Sequence, residues 1–180
     1  MQQKDIPVKR WVIMSGCALK VDGNTNINSF SCSISNYSKP DTILVNPNTN
    51  PIQLNGSINL DVKNFDCGNG IMTADLRKTL KASEYPYLTI RFISLSKYPD
   101  ASARAEITKG AVIIELAGVS RRFDVDYKVV AAEASYINLV GFRRINFSDF
   151  NLIPPRKLGG MIKTNNELSV AFNLRMKVLD

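Results

Sequence analysis

The sequence contains 0 histidines, and that absence removes the commonest metal ligand and the commonest general base together. Zinc sites built on imidazole, Ser-His-Asp triads and Cys-His pairs are excluded. Cysteine is nearly as scarce. Cys17, Cys32 and Cys67 are the full set of 3; without C-x-x-C spacing they indicate neither a redox motif nor a zinc cluster. No apolar run approaches the roughly 18 residues that span a bilayer. The start, Met1 to Arg10, is polar and lacks the apolar stretch of a secretory signal. No repeat, low-complexity tract or second domain is visible, so residues 1–180 read as one domain, with residues 1–10 a polar N-terminal arm.

What is present is a globular balance: 44% hydrophobic and 22% charged residues, with 23 Lys+Arg against 16 Asp+Glu for a net charge of +7. The dominant periodicity is two, the mark of strands with one buried face. Ile52, Leu54, Ile58, Leu60 and Val62 share one face, and Gln53, Asn55, Ser57, Asn59 and Asp61 the other. Phe123, Val125, Tyr127 and Val129 oppose Asp124, Asp126 and Lys128. Leu168, Val170, Phe172, Leu174, Met176 and Val178 alternate with polar neighbours; so do Phe30, Cys32 and Ile34, and Leu88, Ile90 and Phe92. Half-wet strands of this kind build antiparallel sheets, not buried parallel ones.

Turn chemistry joins the strands. Asp22-Gly23-Asn24 reads as a hairpin turn between a strand from Trp11 to Val21 and one from Ile27 to Tyr37. Ala117-Gly118 bends the run Ala111–Leu116 back into Phe123–Val129. Residues 47–51 and 153–160 read as loops without strand or helix. One stretch breaks the period: Met72, Leu76 and Leu80 form a helical stripe, with Thr73 as N-cap and Pro86 beyond the end. The faces of Val112–Leu116 and Ile137–Val140 stay unassigned, because both sides are apolar. Cys17 and Cys32 lie on two arms of one hairpin. They read as buried free thiols or as a facing pair, and the unmatched third leaves a covalent dimer open.

About eight strands and one short helix define an all-β chain, and closure into an antiparallel barrel removes its exposed edges. Eight strands leave an interior just wide enough for side chains, or for one slender ligand. The inward set is Phe30, Ile34, Leu54, Ile58, Leu60, Ile90, Phe92, Phe123, Val125, Tyr127, Val170, Phe172 and Leu174. These residues make either a solid core or the lining of a site for a hydrocarbon chain, with no inward charge to anchor a polar substrate.

The order of motifs then resembles the YceI-like family. Asp22-Gly-Asn-Thr-Asn-Ile-Asn-Ser-Phe30 is similar to its G-x-T-N-V-H-x-F hairpin. Cys67-Gly-Asn-Gly-Ile-Met72, Asp75-Leu76 and Lys81-Ala-Ser-Glu-Tyr-Pro86-Tyr-Leu-Thr-Ile90-Arg-Phe92 are similar to its central helix and Y-P-x-I-x-F strand. Glu115 to Val125 matches a turn between two further strands, and Ser148-Asp149-Phe150 with Pro154-Pro155 its S-D-F-G-I segment. The resemblance implies an extended eight-stranded lipocalin-like barrel holding an isoprenoid or other lipid tail. It also implies an exported, periplasmic carrier whose leader has been removed. Two departures stand out: Asn28 where many members have His, and Asn151 where the segment usually has Gly.

Other readings are weighed beside this one. Asp149 is a turn cap or a head-group anchor; Tyr127 bonds a ligand hydroxyl or the backbone. The pairs Arg121-Arg122, Arg143-Arg144 and Arg156-Lys157 split across strand faces, so no nucleic-acid stripe forms, although the positive field suits an anionic membrane surface. Asp124 and Asp126 lie about 7 Å apart on one wet face, with no cleft to make them catalytic. No enzyme activity, metal or cofactor is expected. The runner-up function is a solid-cored extracytoplasmic structural or interaction protein.

Overall fold

A computed structural model describes residues 6–103 and 106–180 of the chain. The strands are β1 (Lys9–Ile13), β2 (Cys17–Thr25), β3 (Ser29–Tyr37), β4 (Thr42–Asn46), β5 (Ile52–Asp61), β6 (Tyr87–Leu95), β7 (Ile107–Leu116), β8 (Val119–Ala132), β9 (Tyr136–Asn146), β10 (Arg156–Lys157) and β11 (Ile162–Leu179). Helix α1 (Gly70–Thr79) lies between β5 and β6. All the ladders are antiparallel. They run β1-β4-β5-β6-β7-β8-β9-β11, and β11 returns to β1 through Arg10↔Leu179 to Ile13↔Met176. Eight strands therefore close a barrel.

The first hairpin is longer and more broken than its sequence suggests. β11 is long enough to pair β1 with its C-terminal part and β2 with the rest, so β1 and β2 act as one barrel strand with a break. The break falls at Gly16, whose φ of +93° is open to glycine and strained for other residues. β3 and β4 form the matching broken neighbour. The polar arm is also shorter than expected: Lys9 and Arg10 already belong to β1, and residues 1–5 lie outside the described part. The expected turn at Asp22-Gly23-Asn24 is strand instead. Gly23 pairs with Phe30, whose ring occupies the space a Cβ at Gly23 would need. The chain turns at Asn26–Asn28, where the Asn28 amide donates to Thr25 Oγ1 at 3.0 Å and the Thr25 amide to the Asn28 carbonyl at 2.7 Å.

Elsewhere the turn chemistry holds. Ala117 and Gly118 both have positive φ, 52° and 78°, and make a two-residue turn that sets Leu116 opposite Val119. Helix α1 begins earlier than expected. Asn69, not Thr73, is the N-cap; its Oδ1 accepts from the Ile71 and Met72 amides at 2.9 and 3.3 Å. Thr73 is buried and accepts from the Cys67 amide at 3.0 Å. The 153–160 loop carries two features not expected there, the two-residue β10 on β11 and a short 3-10 turn after it.

The cysteines need the largest correction. Cys32 and Cys67 form a disulfide, and only Cys17 is a buried free thiol. The hairpin register explains why Cys17 and Cys32 do not meet: Cys17 stands opposite Tyr37, and Cys32 opposite Val21. The bridge and the Ser33↔Asp66 pairing beside it tie β3 to the segment that leads into α1. They close the barrel wall where β3 has no strand partner on its far side. Full burial of Cys17 leaves it no route to a second copy.

Candidate functional site

The site starts from the inward parity of the strands. From the α1 end to the middle, the inward side chains border three neighbouring cavities, the two inner ones lined almost wholly by apolar groups. The outermost, about 110 Å³, lies between the β2–β3 turn, α1 and the 153–162 segment, against Phe30, Met72, Pro155 and Ile162 on its apolar side and Asn28, Asp75, Lys157 and Thr164 on its polar side. The second, about 50 Å³, lies beneath the helix among Val21, Phe65, Leu80, Leu88, Leu116 and Leu168. The third, also about 50 Å³, lies at mid-barrel among Phe92, Val112, Val125, Tyr127, Phe172 and Leu174. Leu76 borders both the first and the second. Leu19, Ile90, Ile114, Ile145 and Val170 border both the second and the third. A single layer of aliphatic side chains therefore parts the two inner cavities, and Leu76 stands between the second and the outermost. Even the smaller voids exceed several times over the roughly 10–15 Å³ that admits one water, yet their walls offer a water almost nothing to bond.

Tyr127 supplies the polar atom of the inner site. Its ring lies against Gly110 on β7 and Gly141 on β9, where a Cβ would stand within about 3 Å of ring carbons. Its hydroxyl makes no hydrogen bond to a described residue. Burial holds this phenol above its ordinary pKa.

Arg143 is an exposed charge at the border of this site, on a strand whose faces alternation left unassigned. Ile137, Leu139, Gly141 and Ile145 point inward, and Arg143 shares their parity. The β8–β9 ladder ends at Asp126↔Phe142, and beyond it the strands part. There the Arg143 guanidinium lies 5.4 Å from the Phe123 ring centroid, and it donates to the Asp124 carbonyl at 3.4 Å. An arginine from β9 thus crosses the gap onto β8, at the edge of the mid-barrel cavity.

Of the expected inward residues, Ile90, Phe92, Val125, Tyr127, Val170, Phe172 and Leu174 come together around the inner cavities, and Phe30 lines the outer one. Ile34, Leu54, Ile58, Leu60 and Phe123 are buried core and line none of the three. Val112 and Ile114, whose faces were unassigned, prove to be inward. The signal was the Ala117-Gly118 turn: its register sets Val112 opposite Phe123, and directly opposed residues share a face.

The remaining candidates resolve locally. Asp149 Oδ2 accepts from the Asn146 amide at 2.8 Å, which is the capping role. Asn151 takes a φ of +56°, a left-handed conformation that Asn tolerates in place of Gly. Asp126 is ion-paired to Lys109 at 3.5 Å on the outer face. Lys157 meets Asp75 of α1 at 3.1 Å.

No family model and no curated protein sequence matches the chain. Solved structures do. BcnA of Burkholderia cenocepacia is 17% identical, with a TM-score of 0.62 over 90% of this chain and 96% of that one. A polyisoprenoid-binding domain from Saccharophagus degradans, implicated in plant cell wall breakdown, is 12% identical, with a TM-score of 0.62 over 96% and 100%. The Campylobacter jejuni YceI protein is 16% identical, with a TM-score of 0.56 over 77% and 81%. At these identities the likeness is one of fold. The chain has the YceI-like barrel that its motifs resemble.

Proposed function

We propose that this protein binds an elongated apolar molecule, an isoprenoid or other lipid tail, inside its barrel, and that it carries or stores that molecule outside the cytoplasm. The observation that carries the reading is the pair of apolar cavities inside the barrel, parted by Leu19, Ile90, Ile114, Ile145 and Val170 and meeting the outer cavity at Leu76. A solid core has few voids, and each of the smaller ones costs on the order of 1 kcal/mol if left empty. A lipid tail that turned Leu76 and its neighbours aside would recover that cost. It would also gain roughly 0.8 kcal/mol for every CH₂ removed from water. The fold shared with a polyisoprenoid-binding domain supports the same class of ligand. The Cys32–Cys67 disulfide supports an oxidising compartment. Binding rather than catalysis is part of the proposal.

The small volume of each cavity favours a second reading, a filled barrel that acts through its outer surface. Native mass spectrometry of the protein from an exporting bacterial host separates the two. A discrete lipid adduct is expected. Ile114→Phe, which thickens the partition between the two inner cavities, should lose the adduct while keeping the barrel's circular dichroism. Protein without adduct, or an adduct unaffected by filling this partition, overturns the interior site.

A further inference from the structure

We infer that the α1 end of the barrel docks on an anionic lipid bilayer, through a rim of exposed apolar side chains around the outermost cavity. Ile153, Met161, Ile71 and Ile27 are 66–77% exposed, whereas no other large apolar side chain among the described residues exceeds 54%. They come from three separate parts of the chain, yet each lies in, or within two residues of, the lining of one opening. Ile27 lines the outer cavity itself, and Ile71 and Met161 each precede a residue that does. Met161 is tied to the β2–β3 turn, since its carbonyl accepts from the Asn26 side-chain amide at 2.9 Å. Ile153 is two residues from Pro155, which lines the cavity and whose carbonyl accepts from the Thr164 amide at 3.1 Å.

Charge identifies the occupant. Arg156 and Lys163 stand directly opposite one another on β10 and β11, both exposed. Neither has an ion-pair partner among the described residues. Like charges in directly opposed positions destabilise a ladder unless an anion lies over them. Lipid phosphates at a bilayer surface supply such anions, and the acyl region beneath accepts isolated apolar tips without needing shape complementarity. The inference rests on the carrier reading for its choice of occupant, because a lipid passing through this opening would leave the membrane without crossing water.

Co-sedimentation of the full chain with vesicles tests it, using phosphatidylcholine alone and equimolar phosphatidylcholine and phosphatidylglycerol. The wild type should pellet with the anionic vesicles. Ile71→Ser/Ile153→Ser/Met161→Ser, which changes no cavity-lining residue, should weaken that binding about tenfold or more. Arg156→Gln/Lys163→Gln should weaken it about fivefold per charge on the anionic vesicles only. Both variants should keep the wild-type circular dichroism and lipid adduct. A wild type that stays in the supernatant, or an apolar triple variant that pellets unchanged, overturns docking. A lipid adduct without vesicle binding sinks docking and leaves the carrier reading standing. Vesicle binding without any adduct does the reverse.

Discussion

The two ends of the barrel are built on opposite plans. At the end away from α1, Trp11 packs edge-on against Tyr98 with centroids 5.8 Å apart. Ile43, Val45, Leu95, Ile137 and Met176 fill the space around it, none more than 1% exposed. None of them lines any of the three cavities. At the α1 end the same kind of sheet is closed by a helix, a disulfide and two loop segments, with voids beneath and bare apolar tips above. One end is plugged by close packing, which supplies stability; the other is covered by separate pieces, which can part. The division suggests where substitutions will unfold the protein and where they will change what it holds.

The largest test of that division compares one residue from each end. Trp11→Ala should cost about 3–5 kcal/mol in equilibrium denaturation, the range for deleting a large aromatic from a packed core. Leu76→Ala removes a partition between two existing voids, so it forfeits fewer contacts and should fall near the lower bound, about 2 kcal/mol. Equal losses would mean that the ends are packed alike and that the comparison fails.

The disulfide comes next. Cys32 and Cys67 are 35 residues apart, and a closed loop of that length corresponds to roughly 3–4 kcal/mol of lost unfolded-state entropy. Cys32→Ser/Cys67→Ser should lower stability by about that much. Its local effect should be confined: hydrogen exchange should speed in β3 and α1 while the amides of β1 and β4 keep their relative protection. Uniform loss of protection would show that the bridge holds the whole barrel and not one wall.

At mid-barrel the contrast becomes one of pH. Burial raises the Tyr127 phenol above its ordinary 10.0, and burial chiefly raises the Cys17 thiol above 9.0. In both cases the folded state keeps a proton that the unfolded chain releases. Their contribution is therefore intact below the unfolded values and lost as pH rises beyond them, by about 1.4 kcal/mol per pH unit for each group. Denaturation midpoints should be flat near neutrality and fall above about pH 9–10. Tyr127→Phe should leave the neutral value unchanged, its hydroxyl having no partner among the described residues, and should flatten the alkaline fall. An unaltered alkaline slope would remove Tyr127 from this account.

Much of this was legible in the chain, and the rest was hidden for identifiable reasons. Alternation placed Ile90, Phe92, Val125, Tyr127, Phe172 and Leu174 inward because strand parity is a local property. It misjudged the first hairpin because Gly23 looks like a turn residue and is a space for Phe30, a fact carried by a partner strand. The disulfide was out of reach: pairing Cys32 with Cys67 depends on how the segment before α1 crosses the barrel mouth, which no spacing reports. Arg143 was out of reach for another reason. Its pair does split across two faces, but the run Ile137–Val140 is apolar on both sides and leaves the inward parity open, and the side chain ends exposed at the β8–β9 gap.

The smallest effect bears on how the covered end moves. Helix α1 finishes in a Schellman arrangement, with the Ala82 amide donating to the Arg77 carbonyl at 3.0 Å and the Lys81 amide to Lys78 at 3.1 Å. The left-handed position that this closure requires is filled by Lys81, at a φ of +55°, where glycine is the unstrained choice. Lys81 is exposed, so replacing it removes strain without opening the core. Lys81→Gly should therefore raise stability by about 0.5–1 kcal/mol. The same change firms the C-terminal anchor of the helix that roofs the second cavity, and Leu80, next to Lys81, is part of that roof. If cargo enters by displacing α1, the variant should take up a lipid probe more slowly than the wild type while binding no more weakly at equilibrium. A stabilised protein with unchanged uptake kinetics would show that displacement of α1 does not limit entry.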